Sequence, residues 1–140
     1  MTATILKAIR GDAVTAAFLA LTSMASAQGL APQTSWVNDH GSELVIQSIA
    51  ADGRLTGTYS SSTPNFNCRN VAFPLAGWAD GDRLAYAVQW KNANVDCAQI
   101  TSWTGFARNG LIHVEWILVY FDAIEGRQIL RRGFDQYKPK

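Results

Sequence analysis

Three short pairs, Asp52-Gly53, Asp80-Gly81 and Asn109-Gly110, each sit between two runs in which apolar and polar residues alternate. Such pairs supply the backbone angles that tight hairpin turns demand, so each marks a place where the chain doubles back on itself. The flanking runs have period two, and after the N-terminal segment no long stretch has a helical period. Strands are predicted over 35–38, 43–49, 54–60, 71–79, 83–90, 98–107, 111–120 and 128–137, the last ended by Pro139. The expected fold is all-β, an eight-stranded antiparallel up-and-down β-barrel whose interior is about wide enough for one small ligand. Two connections, 61–67 and 91–96, are long and polar, and both fall at the same end of such a barrel, as a mouth and a lid.

The first residues stand apart from this pattern. Lys7 and Arg10 precede a mostly apolar stretch, 13–24, and Ala25-Ser26-Ala27 reads as a cleavage motif before Gln28. Residues 1–27 are therefore expected to be a cleaved signal peptide, and 28–140 a single β-barrel domain that is secreted or periplasmic. The apolar stretch is too short to span a bilayer comfortably. The full sequence has 12 Lys and Arg against 11 Asp and Glu, and losing Lys7, Arg10 and Asp12 leaves the two signs balanced. A neutral domain is a poor match for nucleic acid or an anionic membrane, so neither is expected as a partner. Arg127, Arg131, Arg132, Lys138 and Lys140 crowd the C-terminal end beside Glu125 and Asp135, and read as an exposed strand edge protected by charge.

Two cysteines, Cys68 and Cys97, lie beside the two long connections. Export permits them to pair, and closing that loop is worth roughly 3 to 4 kcal/mol by the chain-entropy estimate. The alternative is two buried free thiols.

Five tryptophans are many for so short a chain, since each buried indole N–H needs a partner. Trp90, Trp103 and Trp116 lie in separate strands beside polar residues. In the run 98–106, positions 99, 101, 103 and 105 share one face, which carries Gln99, Thr101, Trp103 and Gly105. A core built only for stability would favour aliphatic residues there, so this face suits a cavity with something to hydrogen-bond. Alternation alone leaves open the opposite orientation, with Ile100 in the core.

Set in order, Trp36-Val37-Asn38-Asp39-His40-Gly41-Ser42, Leu55-Thr56-Gly57-Thr58-Tyr59-Ser60-Ser61, Pro74-Leu75-Ala76-Gly77, Val88-Gln89-Trp90-Lys91-Asn92, Thr101-Ser102-Trp103-Thr104-Gly105, Trp116-Ile117-Leu118 and Gly133-Phe134-Asp135 resemble the avidin and streptavidin family of biotin-binding barrels. The resemblance implies biotin as the ligand and no cofactor. By it, Asn38, Ser42 and Tyr59 match donors to the ureido oxygen, Asp135 and Ser61 face the ureido nitrogens, and Thr101 approaches the thiophene sulfur. Trp90, Trp103 and Trp116 would line the ring system, and Asn65 falls in the loop that offers backbone N–H to the carboxylate.

There are departures. Gln99 replaces a small hydroxyl residue and could reach the carboxylate or crowd it. The tryptophan that tetrameric members lend to a neighbour's pocket has no counterpart in 123–128. Cys68 and Cys97 match the pair in the short dimeric members, so the resemblance implies a homodimer, with a tetramer possible. Trp78 could mark the subunit interface.

Three other classes are weaker, one of them an exported inhibitor or interaction barrel that would act through long loops such as the small, polar Ser60 to Asn67. A lipocalin-like carrier would hold a greasy ligand, against which the polar set Asn38, Ser42, Tyr59 and Asp135 argues. For an enzyme, the two histidines, His40 and His113, have no metal-ligand spacing with each other or with Glu115, and no nucleophile motif accompanies them. No catalytic or metal residue is assigned.

Overall fold

The computed structural model describes residues 29–140; the expected leader, 1–27, lies outside the described residues. Eight strands run in order: β1 (Thr34–Asn38), β2 (Glu43–Ile49), β3 (Arg54–Ser60), β4 (Ala72–Asp80), β5 (Arg83–Lys91), β6 (Asp96–Arg108), β7 (Leu111–Asp122) and β8 (Arg127–Pro139). Each pairs antiparallel with the next, and β1 pairs with β8, so the sheet closes into a barrel. Asn109 and Gly110 both take positive φ, 54° and 75°, and form the tight turn between β6 and β7 that the sequence predicts.

Strand alternation sorts the side chains. In β6, Thr101 and Trp103 are buried while Ile100 is 47% exposed, which settles the face left open by the sequence. Trp36, Leu44, Ile46, Leu55, Phe73, Leu84 and Ile112 are buried core, consistent with about 1.5–3 kcal/mol for each such side chain withdrawn from water.

One expectation is refined and one is corrected. β8 is hydrogen-bonded to β7 along its length but to β1 only at 137–139, so the sheet closes there while 127–136 have no partner on the β1 side among the described residues. The charged stretch does lie on an open strand edge, and its residues also divide by alternation between the interior and the outer face. The connection predicted over 91–96 is a short turn, 92–95, because Lys91 and Asp96 pair across the ladder with Nζ 2.9 Å from Oδ2. The Asn92 side chain folds this turn by accepting from the N–H groups of Asn94 and Val95. Only 61–71 remains a long loop at the mouth.

Candidate ligand-binding site

The long strands β6, β7 and β8 stack their inward residues in rows. From the mouth downward these are Gln99 with Tyr120, then Thr101, Leu118 and Arg131, then Trp103, Trp116 and Gly133, then Gly105, Val114 and Asp135. The rows face β3 and β5, which contribute Tyr59 and Trp90, and together they enclose a cavity of about 740 Å³. Every residue assigned from the sequence borders it: Asn38, Ser42, Tyr59, Ser61, Asn65, Trp90, Gln99, Thr101, Trp103, Trp116 and Asp135.

The turn after β1 prepares two of the polar groups. Asn38 Oδ1 accepts from the N–H of His40 at 3.1 Å and of Ser42 at 2.8 Å, which fixes the amide plane. With its oxygen committed, Asn38 presents its NH₂, which has no acceptor among the described residues. Ser42 Oγ accepts from Ser62 N–H at 3.0 Å, and the Ser62 hydroxyl donates to the His40 carbonyl. Its own O–H has only a 3.4 Å contact, with that Ser62 hydroxyl, so a better acceptor could take it.

Beside them, across the seam where Asn38 pairs with Tyr137, runs a chain of hydroxyls ending in an acid. Tyr137 donates to Asp135 Oδ2 at 3.1 Å, and the Tyr59 hydroxyl lies 3.1 Å from that of Tyr137. Since Tyr137 has a single proton and the carboxylate takes it, Tyr59 donates to Tyr137. Burial pushes the Tyr59 pKa up to about 12 and those of Tyr86 and Tyr137 well above the ordinary tyrosine value. All three phenols therefore stay protonated at neutral pH. The Tyr86 hydroxyl sits near this chain but makes no hydrogen bond of good geometry, and the Trp103 N–H is likewise buried without a partner.

The remaining polar groups each keep one hydrogen-bonding function in hand. Trp90 donates its indole N–H to Thr101 Oγ1 at 2.9 Å, leaving the Thr101 proton free. Ser61 donates to Thr63 Oγ1 at 2.9 Å and accepts from Thr63 N–H at 3.2 Å, so one lone pair remains.

The aromatic wall is itself packed. Trp103 stacks on Tyr86 with ring centres 5.0 Å apart and leans on Tyr59 at 4.6 Å. Trp90 is held edge-on between Phe66 and Phe73, at 4.9 and 5.3 Å. Phe66 brings the loop 61–71 over the cavity, and Cys68 anchors that loop by a disulfide to Cys97 in β6, with the two Cα atoms 6.3 Å apart. This bears out the pairing over the free thiols. Next to the bridge, β6 bulges out of register with β5, Ala98 takes a φ of 51°, and Gln99 is turned inward to the rim.

Sequence reading missed Phe66, Tyr137 and Arg131. The last two were legible in principle: on β8 they share the parity of Asp135 and Gly133. Among the described residues no cluster of His, Cys, Asp and Glu could hold a metal ion. His40 borders the cavity, whereas His113 stacks on Phe106, ring centres 5.4 Å apart, away from it.

Known proteins resemble this chain in sequence and shape. Afifavidin from Afifella pfennigii is 32% identical over 111 residues, spanning 76% of this chain and 68% of afifavidin. Apo shwanavidin superposes with a TM-score of 0.71 at 35% identity, covering 81% of this chain and 99% of that one. The rhizavidin–biotin complex superposes with a TM-score of 0.72 at 29% identity, covering 79% and 92%. Residues 26–130 match the Avidin family, and the chain belongs to it.

Proposed function

We propose that the mature chain, beginning at Gln28 after removal of residues 1–27, is a single exported domain that binds biotin tightly and without covalent chemistry in this cavity. The observation that carries this reading is the pattern of unspent hydrogen bonds. Asn38 and Ser42 hold donors that the protein does not use, Asp135 keeps Oδ1 and Ser61 a lone pair as acceptors, and all of them border one aromatic cavity. A cyclic urea, with one carbonyl oxygen between two N–H groups, complements that set. Tyr59 completes the donors by turning its proton from Tyr137 to the ureido oxygen.

Donors converging on a carbonyl oxygen opposite a carboxylate polarise the urea, as similar groups stabilise an oxyanion in enzymes. Because the Asn38 amide and the Ser42 hydroxyl are fixed before the ligand arrives, little ordering opposes binding. Trp90, Trp103 and Trp116 cover the rings, Thr101 approaches the sulfur, and Asn65 and Gln99 stand at the rim near the carboxylate. Rhizavidin, similar in fold, has been solved with biotin bound.

The polar floor disfavours a lipocalin-like ligand, and no enzymatic step is assigned, since the two histidines are not brought together. We further propose a homodimer formed through the outer face of β6 to β8. There Ile100, Val119 and Leu130 lie in one register row, and Ile100 and Leu130 are exposed. Trp78, 63% exposed on β4, could extend it.

Isothermal titration of the oxidised mature protein with biotin, with tryptophan emission followed in parallel, tests the reading. One site per chain with an indole response is expected. Absence of heat and of an emission change in folded protein would remove biotin and leave only the barrel.

A further inference from the structure

Among the described residues, Asp135 and Arg131 are the only Asp, Glu, Lys or Arg residues bordering the cavity, Asp135 toward its inner end and Arg131 toward the mouth. Both lie on β8 with the same parity, four residues apart, which is a rise of about 13 Å toward the mouth. Between them is Gly133, over which the Trp116 indole lies. The cavity is thus an aromatic slot with an anion at the inner end and a cation at the outer one.

The cation is positioned. Arg131 places its guanidinium carbon 5.5 Å from the centre of the Tyr120 ring, and Tyr120 pairs across the ladder with Gln99 at the rim. Stacking on an aromatic face orients a guanidinium while leaving its edge N–H groups free. Arg54, Arg83, Arg127, Lys91 and Lys140 are each paired with a carboxylate, but Arg131 has no such partner among the described residues.

We propose that Arg131 recognises the terminal carboxylate of the ligand, so that the site selects free biotin over its esters and amides. This rests on the biotin reading above. The rim groups Asn65 and Gln99 are neutral and can hydrogen-bond to a carboxylate or to an amide, so they separate the two less sharply than a full charge does. A cation separates them, because only the free acid carries the matching charge. Biotin joined through an amide to a protein lysine is thereby the poorer ligand.

The test compares biotin, biotin methyl ester and biotinamide on the oxidised full-length protein, its Arg131→Gln variant and its Arg132→Gln variant. Arg132 is the neighbour on the outer face and serves as the control. Unaltered protein is expected to prefer biotin over both neutral ligands by roughly three- to tenfold, the range for a partly exposed charge-assisted contact, with the preference shrinking as salt rises. Arg131→Gln is expected to shrink the ratio of biotin to neutral-ligand affinity, and Arg132→Gln keeps it. Equal binding of all three ligands by the unaltered protein, which requires no variant to fold, overturns the role of Arg131 and leaves biotin binding in place. So does a preference that survives undiminished in Arg131→Gln. Binding of none of the three overturns the biotin reading and this inference together.

Discussion

The Trp116 indole occupies the space that a side chain at Gly133 would need: a Cβ built there falls 2.4 Å from Cζ2 and 2.7 Å from Cε2. Gly133→Ala must therefore displace the ring or bend β8. Overpacking of this kind costs about 1–3 kcal/mol. A shifted tryptophan emission is expected, with biotin affinity reduced by a similar free energy in calorimetry. Unchanged emission and affinity would mean that the indole position does not matter.

Asn38→Asp separates structure from recognition at a single atom. The carboxylate can still accept from His40 and Ser42, so the turn and the thermal midpoint should change little. The NH₂ donor is lost and a negative charge faces the ureido oxygen. Binding should weaken by more than the roughly 1–3 kcal/mol that an unsatisfied buried polar group costs. A variant that unfolds early without that selective loss would show the turn, and not the donor, to be the residue's role.

Tyr137→Phe deletes the donor to Asp135 and leaves the ring in place. Hydrogen bonds to charged groups contribute about 1.5–3 kcal/mol, so denaturant unfolding should show a loss near that size. Tyr59 is simultaneously released from Tyr137, so biotin affinity should fall by less than stability does. An undiminished midpoint would show the Tyr137–Asp135 contact to be energetically idle.

Tyr59 keeps its proton in the folded barrel up to about pH 12, whereas in the unfolded chain it loses it near the ordinary value of 10.0. Between these values the folded state binds more protons than the unfolded one. Its contribution, on the order of 2–3 kcal/mol, is fully present below pH 10.0 and is lost as pH rises through about 12. Tyr86 and Tyr137, raised by burial in the same sense, steepen the loss. Denaturant melts across this alkaline window, read beside tyrosinate absorbance, check the sign.

Reducing the Cys68–Cys97 bridge should lower stability by roughly 3–4 kcal/mol on the chain-entropy estimate. It also frees the loop that carries Phe66 over Trp90, so biotin should leave faster from reduced protein. An off-rate that does not respond to reduction would make the bridge structural only.

Much of this was readable in the residues because two local rules act almost independently of context. Asp-Gly and Asn-Gly turns fixed where the chain reverses, and period-two alternation fixed which residues share a face, so Thr101 and Trp103 came out together. Closure of the sheet has no such local mark. The arginines of β8 read as edge protection, and 127–136 do lack a β1 partner among the described residues, but parity also sends Arg131 to the interior row and Arg132 to the outer face. The short turn at 92–95 was hidden for a similar reason, since the Lys91–Asp96 pairing that tightens it exists only across a folded ladder. Tyr137 illustrates a third limit. Its value to the site lies in a proton it gives to Asp135, and a sequence displays residue types, not where their protons go.

The barrel closes where Trp36, Val37 and Asn38 meet Pro139, Lys138 and Tyr137. Of the eight strands a ribosome delivers β1 first and β8 last, so the strand carrying Asn38 waits for its partner until the whole barrel has been made. Asp135 and Arg131 arrive on that same final strand. A barrel still lacking that strand accordingly has no complete pocket, and the ability to hold a ligand appears at once, with the strand that closes the sheet.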